Sequence, residues 1–147
     1  MMTTFGLGIA VTPLEMAALI SAIANDGKLY YLQYPRTQQE AAHFAPRVKR
    51  DLDIRAFLPD IKAGMLAAVE LGTGRRANDG PEDPVFGKTG TCTDARSATH
   101  LGWFASFNRG GRRSIAVVVL LTGGQPVNGT LAAGIAGAIY KALHQDI

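Results

Sequence analysis

Residues 85–92 read VFGKTGTC, and they are the first of three stretches that predict β-strands. The other two are residues 100–108 and residues 114–122, and the last of these, SIAVVVLLT, is apolar on both faces. A strand with two apolar faces is covered on both sides in the folded protein. The sequence Arg109-Gly110-Gly111-Arg112 is typical of a tight hairpin between the last two strands. The three stretches therefore predict an antiparallel sheet with helices on both faces.

Two predicted helices precede the sheet. At the start of the first helix, Thr12 and Glu15 have the spacing of a capping box, in which each side chain bonds the other residue's amide. Pro13 between them suits the first helical position. Apolar residues continue at helical spacing to Ile23, and 25–27 (Asn-Asp-Gly) favours the helix end. A second apolar stripe over residues 54–69 predicts a helix that begins or kinks at Pro59.

One predicted helix follows the sheet, over residues 130–144, and two segments are predicted to be loops. The helix carries a single apolar stripe. Residues 35–52 and 74–84 are polar and contain prolines, which favours irregular structure. A short extended piece is expected at 28–31. The stripe of the last helix consists of Leu131, Ile135, Ile139 and Leu143.

The composition is that of one folded domain. The chain has 147 residues, of which 47% are hydrophobic and 18% charged, and this excludes wholesale disorder. The net charge of +3 permits an anionic partner without requiring one. No apolar run reaches the roughly 20 residues of a membrane span, and residues 1–4 show no signal-peptide pattern. With one cysteine, neither an internal disulfide nor a cysteine-based zinc site is expected, and we expect no metal and no cofactor.

The segment Gly87-Lys88-Thr89-Gly90-Thr91 carries the clearest chemical signal. An ammonium group, two hydroxyls and two small residues on an exposed strand suit the binding of an anion. A nucleotide-binding P-loop would need a glycine where the chain has Glu82, and a helix where it predicts a strand. The nucleotide or phosphate interpretation is therefore disfavoured. A plain solvated lysine remains the structural alternative for Lys88.

The same segment resembles the Lys-Thr-Gly strand of penicillin-binding proteins and serine β-lactamases. Four further pieces resemble the family in the same order along the chain. The resemblance runs from about residue 5 to residue 142, and the pieces are together similar to the transpeptidase domain of the high-molecular-mass penicillin-binding proteins. The pieces are residues 6–17 (GLGIAVTPLEMA), 24–28 (ANDGK), 65–77 (MLAAVELGTGRRA) and 100–105 (HLGWFA).

The resemblance implies an activity and a site. In that family a serine attacks the D-Ala-D-Ala bond of a peptidoglycan stem peptide, and β-lactams acylate the same serine. Carried over, Lys88 and the hydroxyls of Thr89 and Thr91 would hold the substrate's carboxylate. The Thr91 amide would serve the oxyanion hole, and Gly90 would leave room for substrate. The resemblance also implies an extracytoplasmic location, on the periplasmic or cell-wall side.

The chain departs from the family pattern in one respect. The family's nucleophile lies in a Ser-x-x-Lys motif, and none of the four serines here has a lysine three positions later. One Ser-x-Asn sequence exists, at 106–108, but it follows the Lys-Thr-Gly motif instead of preceding it. We therefore expect no catalytic residue in this chain. The serines are Ser21, Ser97, Ser106 and Ser114.

These observations predict an α/β (α+β) fold with a three-stranded antiparallel sheet flanked by helices, an incomplete β-lactamase/transpeptidase-like fold. Residues 1–147 would form one unit, the C-terminal portion of a transpeptidase-like domain that is inactive alone. The alternative is a non-catalytic module that binds stem peptides or a protein. The strand at 114–121 is expected to self-associate or to pair with a missing N-terminal half. No nucleic-acid partner is expected, since the arginine clusters lack interleaved aromatic residues.

Three other residues have a possible chemical role and an ordinary one. His100 could act as a catalytic group but is better interpreted as structural. Cys92 could be a reactive thiol, although a lone cysteine is more often a small apolar filler. Trp103 is expected to pack in the core.

Overall fold

The computed structural model describes residues 8–78, 80–93, 99–109 and 114–145. Helix α1 spans Pro13–Ala24, and the predicted capping box is present. The Thr12 amide donates to Glu15 Oε2 at 2.8 Å, and the Glu15 amide donates to Thr12 Oγ1 at 3.2 Å. After the helix, Asp26 adopts a positive φ of 56°, and strand β1 follows over Lys28–Tyr30. This local prediction is confirmed.

The loop predicted over residues 35–52 is wrong in part. Helix α2 spans Gln38–Ala42, and its cap is the Thr37 hydroxyl, which accepts from the Glu40 amide at 3.1 Å. Strand β2 spans Val48–Asp51 and pairs antiparallel with β1. All four residues of β2 are exposed, so no burial pattern in the sequence marks it as a strand. Its backbone pairs with β1, some twenty residues earlier in the chain, and the composition of neighbouring residues does not reveal such pairing.

Helix α3 spans Leu58–Glu70, and Pro59 lies in its first turn, so the helix starts next to the proline and does not kink there. A single 3₁₀ turn precedes it at Arg55–Phe57. A second 3₁₀ turn, Arg75–Ala77, lies inside the segment predicted to be a loop. Proline is tolerated in the first turn because its missing N–H would have no partner there.

The main sheet has the order β3-β4-β5, with β3 at Val85–Thr93, β4 at His100–Asn108 and β5 at Ala116–Gly123. Both pairings are antiparallel and unbroken, so the three predicted strands are confirmed to within two residues at each end. The tight turn predicted at 109–112 falls largely on residues outside the described part of the chain.

Helix α4 spans Gly129–Gln145 and covers one face of the sheet. Its apolar stripe does not face the core, because Ile135, Ile139 and Leu143 are exposed. The buried side is made of small residues and one tyrosine, which lets the helix lie close to the strands and the large Phe104 ring. That side consists of Ala132, Ala133, Ala136 and Tyr140.

The other face of the sheet is covered by α1 and α3. Ile20 and Met65 from the two helices pack against Phe86, Ala105 and Phe107. The rings of Phe86 and Phe107 stack with centroids 5.0 Å apart and planes 3° from parallel. Helices therefore lie on both faces, as predicted. Among the described residues, no helix is both long and apolar enough to cross a membrane.

A buried pair of hydroxyls ties α4 to the sheet. Ser106 donates to the Val117 carbonyl at 3.0 Å, so its oxygen accepts from Tyr140, whose hydroxyl lies 3.0 Å away. Ser106 and Tyr140 are at most 1% exposed. Burial raises the pKa of Tyr140 to about 12 from 10.0. The folded state therefore favours the neutral phenol.

The substitution Tyr140→Phe tests this pair. At neutral pH we expect the free energy of unfolding to fall by about 1 kcal/mol, because one buried hydrogen bond is lost. Between pH 10 and pH 12 the wild type should lose about 2 kcal/mol more than the variant, since the unfolded tyrosine ionises first. Urea unfolding across this pH range measures the difference.

The matched control is Tyr34→Phe, because the Tyr34 side chain is 84% exposed. It should leave the free energy of unfolding unchanged at every pH. A constant gap between wild type and Tyr140→Phe from pH 7 to pH 12 would contradict the burial argument.

Candidate functional site

Lys88 lies in the middle of β3 and is exposed. Side chains alternate between the faces of a strand, so Lys88 shares its face with Phe86, Gly90 and Cys92. Phe86 is buried under α1 and α3, whereas Lys88 and Cys92 are exposed. The Lys88 ammonium donates to the Thr89 carbonyl at 2.8 Å. The Lys88 ammonium therefore lies against the backbone of its own strand, and its hydrogen-bond partner is a neutral carbonyl oxygen.

The two threonines lie on the opposite face, toward α4. The hydroxyls of Thr89 and Thr73 are 2.6 Å apart. The Thr91 hydroxyl accepts from the Gly129 amide at 2.9 Å, in the first turn of α4. The structure thus brings each threonine to a partner of its own and does not gather both hydroxyls around the Lys88 ammonium.

The close contact between α4 and the strands depends on two glycines. A Cβ at Gly129 would lie 2.8 Å from the Gly90 carbonyl oxygen and from Thr89 Cβ. A Cβ at Gly102, the residue paired with Thr91, would lie 2.3 Å from the Asn128 carbonyl oxygen. No larger residue fits either position, so these glycines set the distance from the helix start to the candidate site.

The outer edge of β3 is the second feature of the site. Within the described part of the chain, β3 has a partner strand on one side only, which is β4. Such an edge can accept an extended peptide by backbone hydrogen bonds, with side-chain groups adding selectivity. Lys88 lies on this strand, and an ammonium group can bind a carboxylate by charge-assisted hydrogen bonds.

The remaining candidate residues are not gathered around Lys88. His100 begins β4, and its Nδ1 lies 3.4 Å from the Thr93 hydroxyl at the far end of the β3–β4 pair. Cys92 is exposed and reduced. Trp103 is only partly buried, so the core position predicted for it is partly correct. In the described residues, no group of three or more His, Cys, Asp or Glu side chains could hold a metal ion.

The described serines do not include an evident nucleophile. Ser106 is fully buried and held by the Val117 carbonyl and Tyr140. Ser21 is half-buried on α1 and Ser114 is exposed ahead of β5. Ser97 lies outside the described residues. None of the four has a lysine three positions later.

Sequence reasoning missed two partners of the site. Thr73 lies in the family-like stretch 65–77, where nothing in the sequence indicates its contact with Thr89. Gly129 was placed just before the predicted last helix, although its amide bonds Thr91. The only available signal was the Gly-Thr-Gly piece at 72–74, which resembles the family without indicating a contact.

Comparison with known proteins gives the family. Residues 1–143 match the family model described as the penicillin binding protein transpeptidase domain. Stage V sporulation protein D of Bacillus subtilis (strain 168) is 30% identical over 154 aligned positions, which cover 95% of this chain and 24% of that protein. The chain therefore spans about a quarter of the length of this relative.

Two solved structures share the fold. The D,D-transpeptidase domain of a peptidoglycan glycosyltransferase from Eggerthella lenta matches with a TM-score of 0.64 and 22% identity, over 92% of this chain and 33% of that one. A putative peptidoglycan glycosyltransferase from Atopobium parvulum DSM 20469 matches with a TM-score of 0.74 and 18% identity, over 99% of this chain and 36% of that one. With nearly all of its residues matched by the family model, the chain belongs to the penicillin-binding protein transpeptidase family.

Proposed function

We propose that this chain is the C-terminal portion of a penicillin-binding D,D-transpeptidase, which cross-links peptidoglycan. Residues 1–147 form a single unit that carries the substrate-binding strand and no nucleophile motif. The chain is therefore inactive alone. Since family members act on the cell wall, its place of action is outside the cytoplasm, on the periplasmic or cell-wall side.

The observation that carries the proposal is the position of Lys88. Its ammonium is exposed on β3, the strand whose outer edge has no partner among the described residues. A stem peptide aligned along this edge would place its terminal carboxylate within reach of the ammonium. The carboxylate would replace the neutral Thr89 carbonyl as partner, and charge-assisted hydrogen bonds are roughly twice as strong as neutral ones.

The threonines and Gly90 support this role less directly. Thr89 and Thr91 would contribute hydroxyls to the carboxylate only by sharing or exchanging their bonds to Thr73 and the Gly129 amide. A hydroxyl has one proton and two lone pairs, so Thr91 can accept from Gly129 and still donate to substrate. The Thr91 amide would be the oxyanion-hole donor once a nucleophile is present.

A second candidate function is a non-catalytic module that binds stem peptides or a protein partner. The edge of β3 next to Lys88, which has no partner strand in the described ranges, favours it, because recognition of a carboxylate needs no nucleophile. The two candidates share the binding strand and differ in whether catalysis is completed by another part of a longer protein.

A fluorescent penicillin should fail to label this chain covalently. The reason is chemical, since acylation requires a serine activated by a neighbouring base and the chain has no Ser-x-x-Lys motif. Gel fluorescence and intact-protein mass spectrometry measure the adduct, with a penicillin-binding protein that contains the motif as positive control. Stoichiometric acylation of any serine here would refute the proposed inactivity.

A peptide ending in D-Ala-D-Ala should shift the backbone NMR signals of Thr89, Gly90 and Thr91 at millimolar concentration. One charge-assisted contact on an open edge gives only weak binding. The same peptide with a C-terminal amide should give much smaller shifts, because it lacks the carboxylate.

The variant Lys88→Gln should abolish the shifts, whereas Lys141→Gln, an exposed lysine on α4, should leave them unchanged. Absence of shifts in the wild-type protein would remove both the substrate-binding role of the strand and the binding-module alternative.

We also propose that the chain self-associates, or pairs with a missing N-terminal half, through the strand at 114–121. Within the described residues, β5 pairs only with β4, and its central side chains are half-buried and apolar. Exposed apolar edges favour association, and a charged residue on the edge opposes it.

Sedimentation velocity at tens of micromolar should show dimers or larger species of the wild-type chain. The variant Leu120→Lys should form fewer of them, because it places a charge on this strand. A monomer at every concentration would contradict self-association.

A further inference from the structure

A second charged site lies away from Lys88, at the end of the sheet where β3 begins and β4 ends. It is an open cleft of about 910 Å³, formed by the end of α1, strand β1, the start of α3 and the residue that follows β4. We name it the basic cleft. Its lining residues are Ala24, Asn25, Asp26, Lys28, Tyr30, Arg55, Leu58, Pro59, Lys62 and Arg109.

The charges of the basic cleft are unbalanced. Four cationic side chains line it, with one carboxylate, that of Asp26. Lys62 pairs with Asp26 at 2.8 Å, and the Lys62 side chain is only 11% exposed, so this cation is already neutralised. Lys28, Arg55 and Arg109 have no carboxylate partner among the described residues. The cleft therefore presents about three uncompensated positive charges.

The unpaired cations face the same space as Asp26. The pKa of Asp26 is lowered first by its bond to Lys62 and further by the nearby charges of Arg109 and Arg55. Two guanidinium groups from separate elements thus converge on one region, although they are distant in sequence. Guanidinium groups bind carboxylates and phosphates through two parallel hydrogen bonds, which suits an anionic ligand.

The apolar part of the lining narrows the class of ligand. Leu58, Pro59 and Ala24 lie beside the cations, and the Tyr30 ring is half-buried in the same wall. The volume is within the range of sites that hold ligands much larger than a single phosphate. A short peptide with acidic and apolar side chains would use both parts of this lining.

We propose that the basic cleft binds an acidic peptide segment, in which carboxylates flank an apolar side chain. The carboxylates would contact Arg55 and Arg109, and the apolar side chain would lie against Leu58 and Pro59. This surface is separate from the Lys88 strand and does not depend on the proposed function of that strand. The expected partner is therefore a protein segment of negative charge.

The test uses a fluorescein-labelled, end-capped peptide of sequence DELDE, measured by fluorescence anisotropy. The wild-type chain should bind it with an affinity that falls as salt is raised, because exposed charges are screened. The uncharged analogue NQLNQ should not bind. Inorganic phosphate serves as the competitor and should displace the peptide only weakly.

The variant Arg55→Gln/Arg109→Gln should raise the Kd for the peptide about tenfold or more. The control Arg75→Gln/Lys141→Gln removes the same charge at exposed positions outside the cleft and should change the Kd less than about twofold. Circular dichroism checks that both variants are folded.

Three results would overturn the proposal. The first is no peptide binding to the wild-type chain, and the second is an equal loss of affinity in both double variants, which would indicate net charge alone. The third is displacement by phosphate at the peptide's own affinity, which would identify a phosphate site instead. Each result is distinguishable from failure of the Lys88 site, because the D-Ala-D-Ala titration reports on different residues.

Discussion

The start of α4 lies directly against the backbone of β3 and β4, and the arrangement of the candidate site depends on this contact. The Gly129 amide donates to the Thr91 hydroxyl, and Gly102 leaves space for the Asn128 carbonyl. Small residues on the buried side of α4 continue the close packing along the helix. Toward its C-terminal end, the Tyr140 hydroxyl bonds Ser106 inside the sheet. One helix thus fixes β3 and β4 from a single face.

This packing divides the Lys-Thr-Gly segment between the two faces of the strand. The threonines face α4 and have partners there, whereas Lys88 faces the other side and is exposed. The residue that carries charge is consequently the one with freedom to meet a ligand. The strand is therefore supported by α4 on one face and carries an exposed cation on the other.

The sequence predicts those features that arise from nearby residues. The capping box of α1 and the start of α3 next to Pro59 are local, and both are confirmed. Strand β2 was missed because its four exposed residues are held by pairing with β1 and not by burial. Similarly, the apolar stripe of α4 predicted a buried face, but alanines let the helix approach the sheet more closely than Ile135 and Ile139 could.

The same difference, between features set by nearby residues and features set by distant ones, explains which of the two candidate sites the sequence predicts. The sequence makes Lys88 a candidate because a short motif predicts it on a strand, next to glycines and threonines. The basic cleft has no motif, since three of its cations lie in segments that meet only in the folded chain. Lys28 lies in β1, Arg55 in the 3₁₀ turn before α3, and Arg109 directly after β4. A charge at one position in a sequence says little about its neighbours in space. The excess of cations over carboxylates in this cleft is a property of the fold. This local excess is as large as the net charge of +3 of the whole chain.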